Sequence, residues 1–286
     1  MESVDCGCKG IRFCALCEQS ERVLKLKFEE DPYKHYDFFV YSLEHDVAIK
    51  TDLLNPNSST EEICEVLHNV VPGSSSDLKL NGLLLIAEFL SEEEEASVLK
   101  MIDNVEWHPS QSGRRKQDYG PKVNFKHKKV KTNTFLGMPE YADFLLEKMA
   151  KFSNTRLGNY QPFEMCNLEY DESKKSAIEM HQDDTWIWGN RLISINLVSG
   201  SVMTLCNDTT KQLCYVYMPH RSLLCMADDI RYEWKHGVLA KHIQGRRIAL
   251  TMREPAPEFQ EGGSLYEKYG KELIRLGNIR IPLTNS

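Results

Sequence analysis

The residues best equipped for chemistry lie in Met180-His181-Gln182-Asp183-Asp184-Thr185-Trp186. In an extended chain, residues i and i+2 point to the same side, so His181 and Asp183 would present an imidazole and a carboxylate together. A second histidine later in the chain would complete a two-histidine, one-carboxylate set. Such a set holds Fe(II) on one face and leaves positions open for a co-substrate and oxygen. His220, His236 and His242 are available, and spacing does not choose among them. A His-x-Asp pair alone describes a solvated loop equally well. Further on, Arg246-Arg247-Ile248-Ala249-Leu250-Thr251-Met252-Arg253 alternates like a strand and sets Arg247, Ala249, Thr251 and Arg253 on one face. Two inward guanidinium groups are costly unless they meet anions. A dicarboxylate with separated charged ends suits them, because arginine grips carboxylates bidentately. An edge strand with solvated arginines is the plain alternative.

Two further groups stand out. Cys6, Cys8, Cys14 and Cys17 place four of the nine cysteines within twelve residues. Four thiolates on Zn(II) would fold so short a clip, and free thiols in a flexible tail are the other reading. Cys64, Cys166, Cys206, Cys214 and Cys225 read as buried, inert core residues. Between Arg114 and Lys131, the eight basic residues Arg114, Arg115, Lys116, Lys122, Lys126, Lys128, Lys129 and Lys131 accompany one acid, Asp118. Tyr119 and Phe125 interleave with them. A surface for nucleic acid or an acidic protein competes here with a solvated hairpin. Trp186 and Trp188, beside the first ligands, either wall a pocket or fill a core.

The elements that must position these groups follow from composition and pattern. The 286 residues are 41% hydrophobic and 27% charged, which suits a globular protein of one or two domains. A net charge of −7 argues against a surface that coats nucleic acid throughout. The apolar run Leu83-Leu84-Leu85-Ile86-Ala87, like every other in the sequence, falls far short of the roughly 20 residues of a membrane span. Met1 to Cys6 lack the basic start of a signal peptide. We therefore expect an intracellular monomer, in cytoplasm and nucleus, with no membrane partner and no disulfide framework. Residues 36–41 and 46–50 read as a hairpin, and Ser59 and Ser91 open helices with capping boxes. Pro139 suits the first turn of a third helix. The run 72–77 reads as the main linker. From 163 to 253, short apolar runs separated by turns predict a sandwich, barrel or jelly roll. A last helix is expected over 264–276.

Taken in order, His181-x-Asp183, Arg231-Tyr232-Glu233-Trp234-Lys235-His236-Gly237-Val238 and Arg247-x5-Arg253 resemble the AlkB-type Fe(II)/2-oxoglutarate dioxygenases over residues 80–255. Cys6-Gly7-Cys8-Lys9-Gly10-Ile11-Arg12, the segment 112–125 and Cys166-Asn167-Leu168-Glu169-Tyr170 are similar to the branch formed by the fourth AlkB homologue of animals, nearly end to end. The resemblance implies a mostly β, α+β architecture with a double-stranded β-helix (jelly-roll) core. It implies iron on His181, Asp183 and His236, and 2-oxoglutarate on Arg247 and Arg253. The wider family places Asn-x-Tyr before its ligands, whereas here the spacing is Asn167-x-x-Tyr170, and both cannot point inward from a regular strand. Tyr170 is the expected contact. The domains implied are a cysteine-rich segment 1–28, an extension and linker 29–78, the dioxygenase domain 79–256 and a helical tail 257–286.

The chemistry implied consumes O2 and 2-oxoglutarate, releases succinate and CO2, and hydroxylates an N-methyl carbon that then departs as formaldehyde. The branch is associated with a methylated lysine of actin and with N6-methyladenine in DNA, and net acidity tilts the sequence reading toward a methylated protein. The 110–131 segment is the expected substrate lid. A protein hydroxylase of the same chemistry and a non-catalytic module using the basic segment are the rivals. Formaldehyde release separates the first, and the intact ligand set argues against the second.

Overall fold

The computed structural model describes residues 6–26 and 32–283. Residues 1–5 and the boundary at residue 28 lie outside them. Two sheets share one core. The larger runs, in spatial order, Leu83–Ile86, Leu223–Met226, Trp188–Leu197, Arg246–Pro255, Glu164–Asp171, Arg115–Tyr119 and His108–Pro109. The smaller runs Ile178–His181, Lys235–Val238, Ser201–Asn207, Gln212–Met218, Asp37–Ser42 and Val47–Lys50. Between them, Leu168, Leu192, Leu224 and Ala249 of the larger sheet meet Phe39, Met203, Leu205, Val216 and Val238 of the smaller. This is the jelly-roll core, and its alternation of core-facing and outward residues is the period of the pleat.

Helices cover the outer faces. Glu92–Asp103 and Tyr141–Ala150 bury Val98, Ile102, Tyr141, Leu145 and Met149 in a second core beneath the larger sheet. Thr60–Asn69 lays Ile63 and Val66 on Val40, Val202, Leu213 and Tyr215 of the smaller one. Ser59 and Ser91 each accept from the backbone three residues on, while Glu62 and Glu94 return the bond, so both capping boxes form. Pro139 instead lies in the two-residue strand Met138–Pro139, paired with Arg280–Ile281, and the helix starts at Tyr141. The tail helix begins as a wide turn at Tyr266–Gly270 and continues as Lys271–Gly277.

The segment read as an extension is woven into the smaller sheet. Asp37–Ser42 pairs in parallel with Gln212–Met218 and antiparallel with Val47–Lys50. The run 72–77 is a tied turn: the Asp77 carboxylate accepts from Gly73, Ser74 and Lys50. A continuous sheet explains this, since strand pairing joins what composition separates. Among the described residues, no helix is long and apolar enough to cross a membrane.

Candidate metal centre

His181 ends the strand Ile178–His181, and its register partner on the neighbouring strand is His236. That pairing sets the two imidazoles side by side, 4.4 Å between ring centres with their planes tilted by 52°. Asp183 lies past the strand end, in the loop that follows, and turns back so that its carboxylate lies 3.5 Å from His181 Nε2. One ligand atom from each of His181, Asp183 and His236 lies within 4.8 Å of the other two. His181 Nδ1 donates to the Glu179 carbonyl at 2.8 Å, which leaves Nε2 for an ion. Burial, with the neighbouring His181, lowers the His236 pKa to about 3 and keeps it neutral. Burial would raise the Asp183 carboxyl, but the Arg253 guanidinium and His181 hold it well below the carboxylate range. A neutral His236 imidazole and an ionised Asp183 carboxylate are what a divalent cation requires. His220 instead contacts Glu95 at 2.7 Å, and His242 is buried against Ser58 O at 3.1 Å.

The two arginines differ. Arg247 is 1% exposed, donates from Nε to Asn196, and stacks on Tyr170, 4.8 Å from the ring centre. Its Nη1 and Nη2 have no hydrogen-bond partner, and burial pulls its pKa down. Two orphaned guanidinium donors lining the same cavity as the ligands are a seat for one carboxylate of a dianion. Arg253, on the same face, is already engaged. It donates to Asp183 at 2.9 Å and to Glu164 at 2.8 Å, and lies 4.3 Å over Trp188. Its charge orients the metal-binding carboxylate, and it lines the same cavity as Arg247.

Tyr170 lines the cavity. Asn167 does not: it points to the outer face and donates to Gln117 and Tyr141, both at 2.7 Å. Leu168 and Tyr170 face in, so period-two alternation turns Asn167 and Glu169 out.

The basic segment divides. Tyr119 is buried in the outer core, Arg114 is buried and lies 5.8 Å over Tyr170, Arg115 pairs with Glu169, and Lys116 pairs with Asp118 at 2.5 Å. These belong to or adjoin the strand Arg115–Tyr119, whose ladder to Glu164–Asp171 buries one face. Lys122, Lys126, Lys128, Lys129 and Lys131 are exposed on the hairpin formed by Lys122–Asn124 and Lys129–Lys131. Phe125, in its turn, packs on Trp188 at 5.3 Å. Trp188 thus stands between the hairpin and Arg253, while Trp186, half-buried, packs edge-on against the core residue Phe259.

Three residues that sequence reasoning did not select complete the site. Glu164 bridges Arg253 and the Trp188 indole, which donates at 2.9 Å. Asn196 steers Arg247. Arg231, 1% exposed, donates to the carbonyls of Asp183, Asp184, Trp188 and Gly189 and so shapes the ligand loop. A charged residue inside the segment before His236 was the one available signal for it. The four amino-terminal thiols are also brought together, every sulfur within 4.8 Å of the others. Cys166, Cys206, Cys214 and Cys225 are buried, and burial pushes the Cys206 and Cys225 thiols up to about 12. Cys64 is only half-buried, on the helix Thr60–Asn69.

Residues 64–253 match the model of the 2OG-Fe(II) oxygenase superfamily. The chain is 67% identical over 282 residues to a Caenorhabditis elegans protein named DNA N6-methyl adenine demethylase, covering 98% of this chain and 97% of that one. It is 35% identical over 302 residues to human alpha-ketoglutarate-dependent dioxygenase alkB homolog 4, covering 95% and 93%.

Proposed function

Because the chain belongs to the 2OG-Fe(II) oxygenase superfamily, as an AlkB-type member, we propose that it removes an N-methyl group oxidatively and that its substrate is N6-methyladenine in DNA. The observation that carries the oxygenase chemistry is the pair of orphaned Arg247 donors in the same cavity as His181, Asp183 and His236. Iron bound there would supply the oxidising power, drawing on O2 and 2-oxoglutarate. The protein's own contribution is geometry and charge. Arg247 seats the far carboxylate of 2-oxoglutarate and Tyr170 backs that guanidinium. Arg253 and Arg231 hold Asp183 and its loop still, and the apolar walls Leu168, Ile178, Leu192 and Met203 exclude water.

The substrate reading draws on the mouth of the site. Phe125 and Trp188 offer aromatic faces to a base taken out of its stack, and the exposed lysines beside them suit phosphates. The name of the 67% identical relative supports the same choice. A methyl-lysine on an actin-like protein rests on net acidity and resemblance, and whole-chain charge says little about a mouth whose local charge is opposite. The test supplies purified enzyme, Fe(II) and 2-oxoglutarate with N6-methyladenine oligonucleotides or methyl-lysine peptides and follows formaldehyde. Release with the oligonucleotide alone is expected. Release only with the peptide reverses the substrate assignment, and substrate oxidation without formaldehyde makes the protein a hydroxylase.

A further inference from the structure

The four amino-terminal cysteines are not used by the oxygenase site, and they do not hang in a tail. Cys14 is 2% exposed, and Cys6, Cys8 and Cys17 are half-buried. Their sulfurs all lie within 4.8 Å of one another. Zinc–sulfur bonds of about 2.3 Å in a tetrahedron place neighbouring sulfurs about 3.8 Å apart, so the spacing suits one ion. An iron–sulfur cluster interposes sulfide and spreads its thiolates further. Gly7, between Cys6 and Cys8, and Gly10, between Cys8 and Cys14, adopt positive φ, +66° and +60°, and turn the short connections. N–H groups already face the sulfurs: Cys14 N at 3.4 Å from Cys17 Sγ, Ser112 N at 3.3 Å from Cys8 Sγ, and Arg22 Nη2 at 3.6 Å from Cys17 Sγ. Donors of this kind offset the charge of a tetrathiolate centre.

One of those donors, Ser112, belongs to the catalytic domain. It sits in a loop that the cysteine segment fastens to the approach of the first iron ligand. Ala15 N donates to Lys174 O at 3.0 Å, and Lys175 pairs with Glu18. Arg12 reaches Gln111 and Glu179. Within the domain, Ala177 N donates to Ser112 O at 3.0 Å and Ser176 Oγ to Gly113 O at 2.7 Å. A Cβ on Gly113 would fall 2.7 Å from Lys174 O and 3.3 Å from Cys14 Cβ, so three strands of chain meet with no room to spare. The next residue on one side is Arg114, over Tyr170; on the other, the chain runs directly into Ile178–His181.

We propose that Cys6, Cys8, Cys14 and Cys17 bind a single structural zinc ion, and that this centre clamps the loop 110–114 to the segment 172–181 that carries His181. Binding displaces four thiol protons, and no electron is transferred. Full-length protein, produced with zinc supplied and kept reduced, should hold about one zinc per chain by elemental analysis. His181→Ala should keep that zinc while losing iron, and Cys64→Ser should keep both. Cys14→Ser should lose zinc at least fivefold. Should that variant fold poorly, cobalt exchange into the wild type gives a second reading, the visible bands of a tetrahedral cobalt thiolate. Removing zinc with a chelator should speed amide hydrogen exchange in 110–114 and 172–181 as well as in 6–26. Zinc-free protein, or zinc that survives Cys14→Ser, overturns the site. Faster exchange confined to 6–26 overturns the clamp. Neither result touches the iron chemistry, which His181→Ala reports separately.

Discussion

Arg247 pulls stability and function in opposite directions. Leaving two buried donors unpaired costs about 1–3 kcal/mol in the ligand-free protein, and 2-oxoglutarate recovers that cost on binding. Arg247→Met should therefore leave the ligand-free melting temperature equal to or above that of the wild type. It should also abolish the rise in melting temperature on adding 2-oxoglutarate and increase the apparent 2-oxoglutarate requirement roughly 30-fold or more. Thermal scans with and without the co-substrate check both halves, and an unchanged ligand-induced rise would remove Arg247 from the binding site. Asp183→Ala should lose iron and turnover together. It also strips Arg253 of one of two buried carboxylates, so metal-free stability should fall by about 2–4 kcal/mol. Succinate production near the wild-type level would sink the ligand assignment. The sequence exposed His181, Asp183 and Arg247 because such residue types are scarce in apolar, alternating surroundings. Glu164, Asn196 and Arg231 stayed hidden, since their partners lie far along the chain and the residues themselves are common.

The hairpin of 122–131 is the element where recognition should be measurable. Its lysines touch neither ligand nor co-substrate residue, so changing Lys126, Lys128, Lys129 and Lys131 to Ser should leave uncoupled 2-oxoglutarate decarboxylation intact. Turnover of methylated DNA should fall through KM at low salt. The plot of log affinity against log salt should flatten by about three to four units. Indifference of turnover to all four changes would reduce the hairpin to a solvated face. At this scale the sequence spoke unevenly. Capping boxes and apolar runs marked helices and strands, because those signals are local. The fate of Tyr119, Arg114 and Arg115 was not local: their side chains were fixed by the pairing of Arg115–Tyr119 with Glu164–Asp171, so residues that read as a basic recognition run became core and ladder. Pro139 misled in the same way, because its two-residue pairing with the tail cannot be seen from its neighbours.

Across the whole molecule, acid should act through buried histidines. Burial lowers the His242 pKa to about 4, against an ordinary value near 6.5, and His236 to about 3. Between these values and 6.5 the unfolded chain carries protons that the native one refuses, so stability rises with pH there and is lost as pH falls. The urea midpoint of metal-free protein should decline steadily from pH 6.5 toward pH 4. His242→Gln should flatten part of that decline without involving the metal site; a midpoint level over this range would contradict it. The parallel pairing of Asp37–Ser42 with Gln212–Met218 has a consequence for how the chain is made. During synthesis Asp37–Ser42 can pair with Val47–Lys50 but must wait for Gln212–Met218 until most of the protein has left the ribosome, and this closure of distant chain is entropically slow. A shortened protein starting at residue 79 would lose more than a leader: it would bare a long apolar edge along Gln212–Met218 and invite other chains to fill it.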